Sequence, residues 1–391
     1  MKTIKVTVPG SKSLTNRAII LAALSSGTSK INNISNSLDS RIMIQAMKKL
    51  GVKIIKINNK LQIKGNGGVF KKISRKIYVG NAGTVTRFLT AIATLVPGKV
   101  IITKSKRMKK RPMEELTEAL KTIRTGKVTI RGDVSSQFIS ALLMIAPILK
   151  NGLIVNIVGK LVSRTYVDMT IDLMKKFGIK VEKNKKNKLI IKKQSIAPTN
   201  YVVETDLSGA SYFFAAGAVT GNIVRVKNIN FRSKQGDIIF PDLLRKMGCQ
   251  VKKNIKEKWI EVRGPKVLKG INVNMLDMPD TAQTLAVVAA FARGNTTITG
   301  LSTLKMKETD RLKALKNELN KMKIKCEITN DSIKIEGGSP QKAVIETYGD
   351  HRMAMAFAVA KSRIPELIIK NPEVVKKSFP EFWEKFNLIK I

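Results

Sequence analysis

The sequence predicts an α/β protein of two domains, each assembled from three copies of one repeated helix-and-strand unit. The chain has 391 residues, room for two or three domains at about 150 residues each, and 43% of it is hydrophobic, enough to fill real cores. A passage from the end of an amphipathic helix into a strand recurs: "MKKLGVKI" around Gly51, "MKKFGIKV" around Gly178, "LRKMGCQV" around Gly248 and "LNKMKIKC" around Lys323. The copies follow one another at about 65 to 75 residues, with one gap near twice that, so six units divide naturally as three plus three.

Each junction has a local reason. Glycine there fits the left-handed residue that ends a helix, and the basic residues before it suit the negative end of the helix dipole. The last residues, "WEKFNLIKI", repeat the passage with Asn387 in the glycine's place, asparagine being the next most tolerant residue. The missing copy belongs near "EALKTIRTGKVTI", where the chain is shortened around residues 121–130. At the front, "MKTIKVTVPG" alternates as a strand and has no apolar signal core. The longest apolar runs, "ALLMIAPIL" and "TLAVVAAFA", fall short of the 18 or so residues of a spanning helix. A soluble, cytoplasmic protein is expected. Cys249 and Cys326 sit in short apolar stretches and read as core side chains.

Three turns look built to hold anions. "PGSKSLTNR" places Lys12, Ser13, Thr15 and Arg17, with nothing acidic, before the apolar run "NRAIILAAL". Ser13 or Thr15 can cap that helix, whose free N–H groups and positive dipole end then face the turn. "GNAGTVTRF" follows a strand and opens a helix, and its glycines, Gly83 among them, let a ligand approach the backbone. "SSQF" offers Ser135, Ser136 and Gln137 at a third helix start. Ordinary capping accounts for any one of these alone. "RPM" adds Arg111, "KETDR" adds Lys307, Glu308 and Arg311, and "DHR" surrounds the single histidine, His351, with Asp350 and Arg352. With Lys377, the helix starts carry many cations and few acids, Asp280, Glu308 and Asp350. Such a site suits a substrate pair bearing phosphate and carboxylate, with one or two carboxylates left for proton transfer. There is no GxxxxGK[ST], HExxH or GxSxG, so no metal, nucleotide or covalent nucleophile is called for.

Lys and Arg number 72 against 28 Asp and Glu, a net charge of +44 that raises the question of a polyanionic partner. The lysines are spread singly through the chain, aromatic residues make up only 5%, and no zinc finger, KH loop or aromatic RNP strand is present. No specific nucleic-acid partner is expected.

"PGSKSLTNRA", "GNAGTVTRF", "RPM", "GDVSSQFISALL", "SRTYVDMTIDLM", "PDTAQTLAVVA", "KETDRL", "GDHRMAMA" and "KSFPEF" occur in the order and approximate spacing of the 5-enolpyruvylshikimate-3-phosphate synthases, so the whole chain resembles that family. The resemblance implies the two-domain enolpyruvyl transferase fold, each domain three βαβαββ units around a pseudo-three-fold axis, with the active site in the interdomain cleft. Carried onto this chain, the domains are residues 13–203, with one unit shortened near 121–130, and residues 1–12 plus 204–391. The implied reaction adds the 5-hydroxyl of shikimate 3-phosphate to C2 of phosphoenolpyruvate while C3 is protonated, then expels phosphate. It needs no cofactor, serves chorismate and aromatic amino acid biosynthesis, and is expected of a monomer.

The resemblance also implies roles. Lys12, Ser13, Arg17, Ser135, Ser136, Gln137, Ser163, Tyr166, Asp280 and Lys307 would hold shikimate 3-phosphate. Lys12, Gly83, Arg111, Gln137, Arg311, Arg352 and Lys377 would hold phosphoenolpyruvate. Asp280 would accept the hydroxyl proton, and Glu308, helped by Lys12, would serve the methylene carbon. Three departures stand out: the short segment between Arg111 and Ser135, Phe88 where many relatives have proline, and Thr303 where some have a substrate-touching asparagine. The sister enzymes acting on UDP-N-acetylglucosamine carry a cysteine loop before "RP", and here "SKRMKKRPM" has none. An RNA-binding or RNA-end-processing protein would use the +44 charge but leave "KETDR" and "DHR" unexplained.

Overall fold

The longest apolar runs in the sequence become helices buried on every side. A computed structural model describes residues 3–184 and 187–389. The chain forms two compact units, Gly10–Val203 and Glu204–Ile391, the second also taking Met1–Pro9. Each has its own hydrophobic core. In the first, helices Lys12–Leu24, Gly83–Ala93 and Ser136–Ile145 pack on one another, and in the second Leu207–Thr220, Ala282–Ala289 and His351–Lys361 do the same. Every residue of Ala282–Ala289 is buried, as expected of a helix apolar all round.

Four of these inner helices, Gly83–Ala93, Ser136–Ile145, Ala282–Ala289 and His351–Lys361, each link two parallel strands of one sheet, whereas Lys12–Leu24 and Leu207–Thr220 run between strands of different sheets. Where a sheet has four strands, a second, amphipathic helix leads into an antiparallel hairpin that completes it. Thus Lys127–Arg131 lies parallel to Leu153–Val158, with Lys188–Ile191 and then Glu182–Asn184 antiparallel beyond it. In the second unit Ile4–Val6 pairs with Val224–Lys227, followed by Trp259–Arg263 and Gln250–Asn254. The corresponding sheet of the first unit, built on Thr28–Asn32, takes its parallel neighbour from Asn200–Val202, at the far end of the unit. The strand Ile4–Val6, ahead of the first inner helix, has gone to the other unit's sheet.

Gly51, Gly178 and Gly248 have φ of 91°, 77° and 101°, and Lys323 adopts 63° in the same role. A Cβ on Gly51 would meet nothing within 4 Å, so its backbone conformation, not space, calls for glycine there. Asn387 departs from the expectation. Its φ is −64°, and the turn continues through the bond from Ile389 N to Phe386 O, so the helix end is not left-handed. The rest of that expected strand, residues 390–391, lies outside the described residues.

The shortened segment keeps its glycine and loses its hairpin. Helix Glu114–Thr122 ends through Ile123–Thr125 in Gly126, at φ 76°, and the chain enters Lys127–Arg131, the first strand of the next sheet. The sheet of Ile73–Tyr78 and Gly98–Thr103 therefore has two strands among the described residues. Both cysteines are buried and free, as expected. Among the described residues no helix is long and apolar enough to cross a membrane.

Candidate functional site

In the first unit most of the expected residues stand at helix starts: Lys12, Ser13, Gly83, Ser135, Ser136 and Gln137 at the inner helices, Ser163 and Tyr166 at Arg164–Lys176, with Arg111 in the loop before Glu114–Thr122. The first helix begins at Lys12 and is capped by Ser11, whose Oγ accepts the Leu14 N–H at 3.5 Å. The cap is thus neither Ser13 nor Thr15; Thr15 lies inside the helix, where its hydroxyl accepts Ser35 N–H at 3.0 Å. Lys12 Nζ donates to buried Asp39 at 3.0 Å, a partner from the next helix that the sequence analysis had missed.

Arg17 is 1% exposed and joins the inner helix to two others. Its Nε donates to Thr170 Oγ1 at 2.7 Å, Nη1 to Ser13 O at 2.9 Å, and Nη2 to Ser140 Oγ and Tyr166 O at 3.3 and 3.4 Å. The Phe88 ring lies over the guanidinium at 5.1 Å. These hydrogen-bond partners are all neutral, so burial lowers the Arg17 pKa to about 10, opposed by interaction with Tyr166. The group remains a cation at neutral pH.

A second cluster adjoins it. Arg87 Nη1 donates to Gln137 Oε1 at 2.6 Å and Nη2 to Pro112 O at 3.3 Å, while its guanidinium stacks on Phe138 at 5.2 Å. Arg87 was also missed, because nothing in its local spacing distinguishes it from a helix-surface arginine. Arg111 is buried against Gly83, so closely that a Cβ on Gly83 would stand 2.6 Å from its Nη1. Ser135 caps the third inner helix through Gln137 N–H at 3.3 Å, and Ser136 opens it. Ser163 is buried with φ 52°, a left-handed conformation unusual for serine, and its carbonyl accepts Tyr166 N–H at 3.1 Å.

In the second unit, one network joins six expected residues with Asp350. Arg311, 1% exposed, grips Asp350 through Nε at 2.7 Å and Nη2 at 3.2 Å. It also donates to Glu308 at 2.9 Å and Asp280 at 3.4 Å. Asp280 takes a further bond from Arg352 at 2.6 Å and lies 3.5 Å from Lys307; Lys377 lies 3.3 Å from Glu308. Burial opposes the charge on Arg311, but Asp350, Glu308 and Asp280 outweigh it and push its pKa upward. Tyr212, buried, receives a bond from Arg352 at 3.3 Å, and burial raises its pKa to about 12. His351 Nδ1 is 3.6 Å from Asp350. Asp237, unforeseen from the sequence, lies near Asp280 and accepts the Ser208 hydroxyl at 2.6 Å.

The architecture that carries these two clusters, two units of three sheets each, is shared with a known class of folds. An enolpyruvyl transferase from Streptomyces tendae, NikO, superimposes with a TM-score of 0.74 over 98% of this chain and 94% of that one; at 12% identity it shows the fold alone. The fold is that of the enolpyruvyl transferases. An EPSP synthase from Acinetobacter baumannii superimposes with a TM-score of 0.79 and 25% identity, covering 99% of this chain and 96% of that one. Two 3-phosphoshikimate 1-carboxyvinyltransferases are each 40% identical to the chain. The one from Nostoc punctiforme aligns over 97% of this chain and 95% of its own, and the one from Haemophilus influenzae over 98% and 96%. Residues 3–386 match the family described as EPSP synthase (3-phosphoshikimate 1-carboxyvinyltransferase), and the chain belongs to that family.

Proposed function

We infer that this chain transfers the enolpyruvyl group of phosphoenolpyruvate to the 5-hydroxyl of shikimate 3-phosphate, releasing phosphate. Family membership supports the overall reaction. The observation that bears on how it proceeds is the sharing of cations by Asp280 and Glu308.

Arg311, Arg352 and Lys377 donate to those two carboxylates, and they are also the groups assigned to phosphoenolpyruvate. A carboxylate-and-phosphate ligand would draw the same N–H donors to itself. Asp280 and Glu308 would then lose cationic partners and gain proton affinity as the reactants arrive. Asp280 takes the hydroxyl proton as the O–C2 bond forms, and Glu308, having gained a proton as its cations turn to the ligand, delivers that proton to C3. The Glu308 carboxylate then takes a proton back from C3 while the C2–O bond to phosphate breaks, and the departing phosphate carries away the proton held by Asp280. Lys12 assists Glu308, and Lys307 and Asp280 orient the acceptor.

The first unit's groups serve recognition. Ser13, Arg17, Ser135, Ser136, Gln137, Ser163 and Tyr166 hold shikimate 3-phosphate, and Gly83, Arg111 and Gln137 contribute to phosphoenolpyruvate. Arg17, buried among neutral acceptors, is suited to an anionic ligand because no carboxylate among the described residues competes for it. The protein works in the cytoplasm as a monomer without cofactor.

Phosphate release with both substrates, in the presence of a chelator and without nucleotide, tests this reading. It should occur with shikimate 3-phosphate and not with UDP-N-acetylglucosamine; the opposite preference would refute it. Replacing Asp280 or Glu308 with alanine should lower turnover by about 10² to 10⁴, the range for general acid–base groups.

A further inference from the structure

Asp237 is a buried acid that the reaction scheme leaves unused. It is 6% exposed and is the second residue of the short turn Gly236–Ile239, which Gln235 precedes. Gln235 ties that turn to the inner helix, accepting Leu207 N–H at 3.2 Å and donating to Thr205 O at 2.9 Å. The carboxylate has two hydrogen-bond donors among the described residues, both neutral hydroxyls: Ser208 to Oδ2 at 2.6 Å and Thr281 to Oδ1 at 3.2 Å. Thr281 is the residue after Asp280.

The Thr281 hydroxyl also lies 3.1 Å from Met278 O, and its single proton cannot serve both acceptors fully. With Asp237 ionised, the proton goes to Asp237. With Asp237 protonated, Asp237 can donate to Thr281, which donates in turn to Met278 O across the Pro279–Thr281 turn. The same heavy-atom geometry accommodates both states. Burial, and to a lesser degree the negative charge of Asp280, raise the Asp237 pKa to about 6, despite the bond from Ser208. The charged groups acting on it are Asp280 from that turn, Arg352 from the helix His351–Lys361, and Asp206 from the cap of Leu207–Thr220.

We propose that Asp237 is a positioning residue for Asp280, holding its turn through Thr281 and, when ionised, strengthening Asp280 as a base by like-charge repulsion. The inference rests on the reading of Asp280 as the proton acceptor. In the first unit the matching acid, Asp39, also at the start of the second helix, is instead neutralised by Lys12. The two units thus use an acid at the same place in the repeat differently.

Asp237→Asn tests it. The amide keeps a carbonyl for Ser208 and a donor for Thr281 but carries no charge at any pH. The expected result is a fall of about three- to tenfold in kcat, KM values within about twofold, and an acid limb of the kcat/KM profile moved to lower pH. Thr281→Val removes one donor, so Asp237 should stay protonated to higher pH, and its deficit should be largest near pH 6.5 and shrink towards pH 9. Unchanged kcat with superimposable profiles overturns the inference, as does a loss of kcat with no change of profile in either variant; if Asp237→Asn does not fold, Thr281→Val decides. Asp280→Asn is assayed in parallel. If it retains near-normal turnover, the reading of Asp280 fails; if it collapses while both other variants behave as wild type, only the role of Asp237 fails.

Discussion

Arg311 binds Asp350 through two nitrogens, Nε to Oδ2 at 2.7 Å and Nη2 to Oδ1 at 3.2 Å, with both side chains almost wholly out of contact with solvent. A buried pair broken from one side leaves its partner as an uncompensated charge. Asp350→Ala should therefore destabilise the second unit by about 3–5 kcal/mol. A urea melt reads this as a lower midpoint; an unchanged midpoint would mean that Arg311 is satisfied by Glu308 and Asp280 alone.

Arg17 presents the contrasting case, a buried cation among neutral acceptors. Its lowered pKa means that the folded state holds the proton less firmly than the unfolded chain. That cost is present at every pH below about 10 and lifts as pH rises above it. Arg17→Met removes the cost along with the hydrogen bonds, so stability should stay within about 1 kcal/mol of wild type. Binding of shikimate 3-phosphate, measured by calorimetry, should weaken sharply. A stability loss as large as that of Asp350→Ala would show that the neutral bonds alone hold the three helices together.

At Gly83 the relevant distance is the 2.6 Å between its would-be Cβ and Arg111 Nη1. Alanine there must push the guanidinium aside. The KM for phosphoenolpyruvate should rise about tenfold or more, a loss of at least about 1.4 kcal/mol, while that for shikimate 3-phosphate changes little. Equal effects on the two constants would detach Arg111 from the phosphoenolpyruvate site.

Asp237 predicts a pH dependence of stability. Its folded pKa of about 6 lies above the ordinary value of 3.8, so the folded protein binds this proton more tightly than the unfolded chain. The resulting destabilisation is full above about pH 6 and fades as pH falls from there towards 4; the shift corresponds to a cost on the order of 2–3 kcal/mol. Asp237→Asn should melt higher than wild type at pH 8, and the gap should roughly halve by about pH 5 and close towards pH 4. A constant gap would remove the carboxylate's titration as its cause.

Much of this was legible in the chain because it is local. The helix-ending residues Gly51, Gly178, Gly248 and Lys323 were marked by the repeat, and all have positive φ. Asn387 was marked by the same repeat but has a negative φ, because a residue tolerant of the left-handed region need not adopt it when the helix can turn further. Gly126 kept its φ in the shortened copy while the hairpin after it vanished, which only strand pairing could reveal. The Arg17 partners Thr170 and Ser140 lie 153 and 123 residues away, and the Lys12 partner Asp39 lies 27 away. No local spacing rule reaches from one helix of a copy to the next, still less across separate copies of the repeat. Asp237 sat unnoticed in "QGDII" because its meaning comes from the residues packed around it.

The addition–elimination account requires C3 of the enolpyruvyl group to become a methyl group and then return to a methylene. Product formed from shikimate 3-phosphate and phosphoenolpyruvate in D2O, analysed by mass spectrometry, tests this most directly. The account predicts a condensation product carrying one carboxyvinyl group with solvent deuterium at its methylene carbon. Absence of that product, or a product whose methylene holds no deuterium, would contradict it.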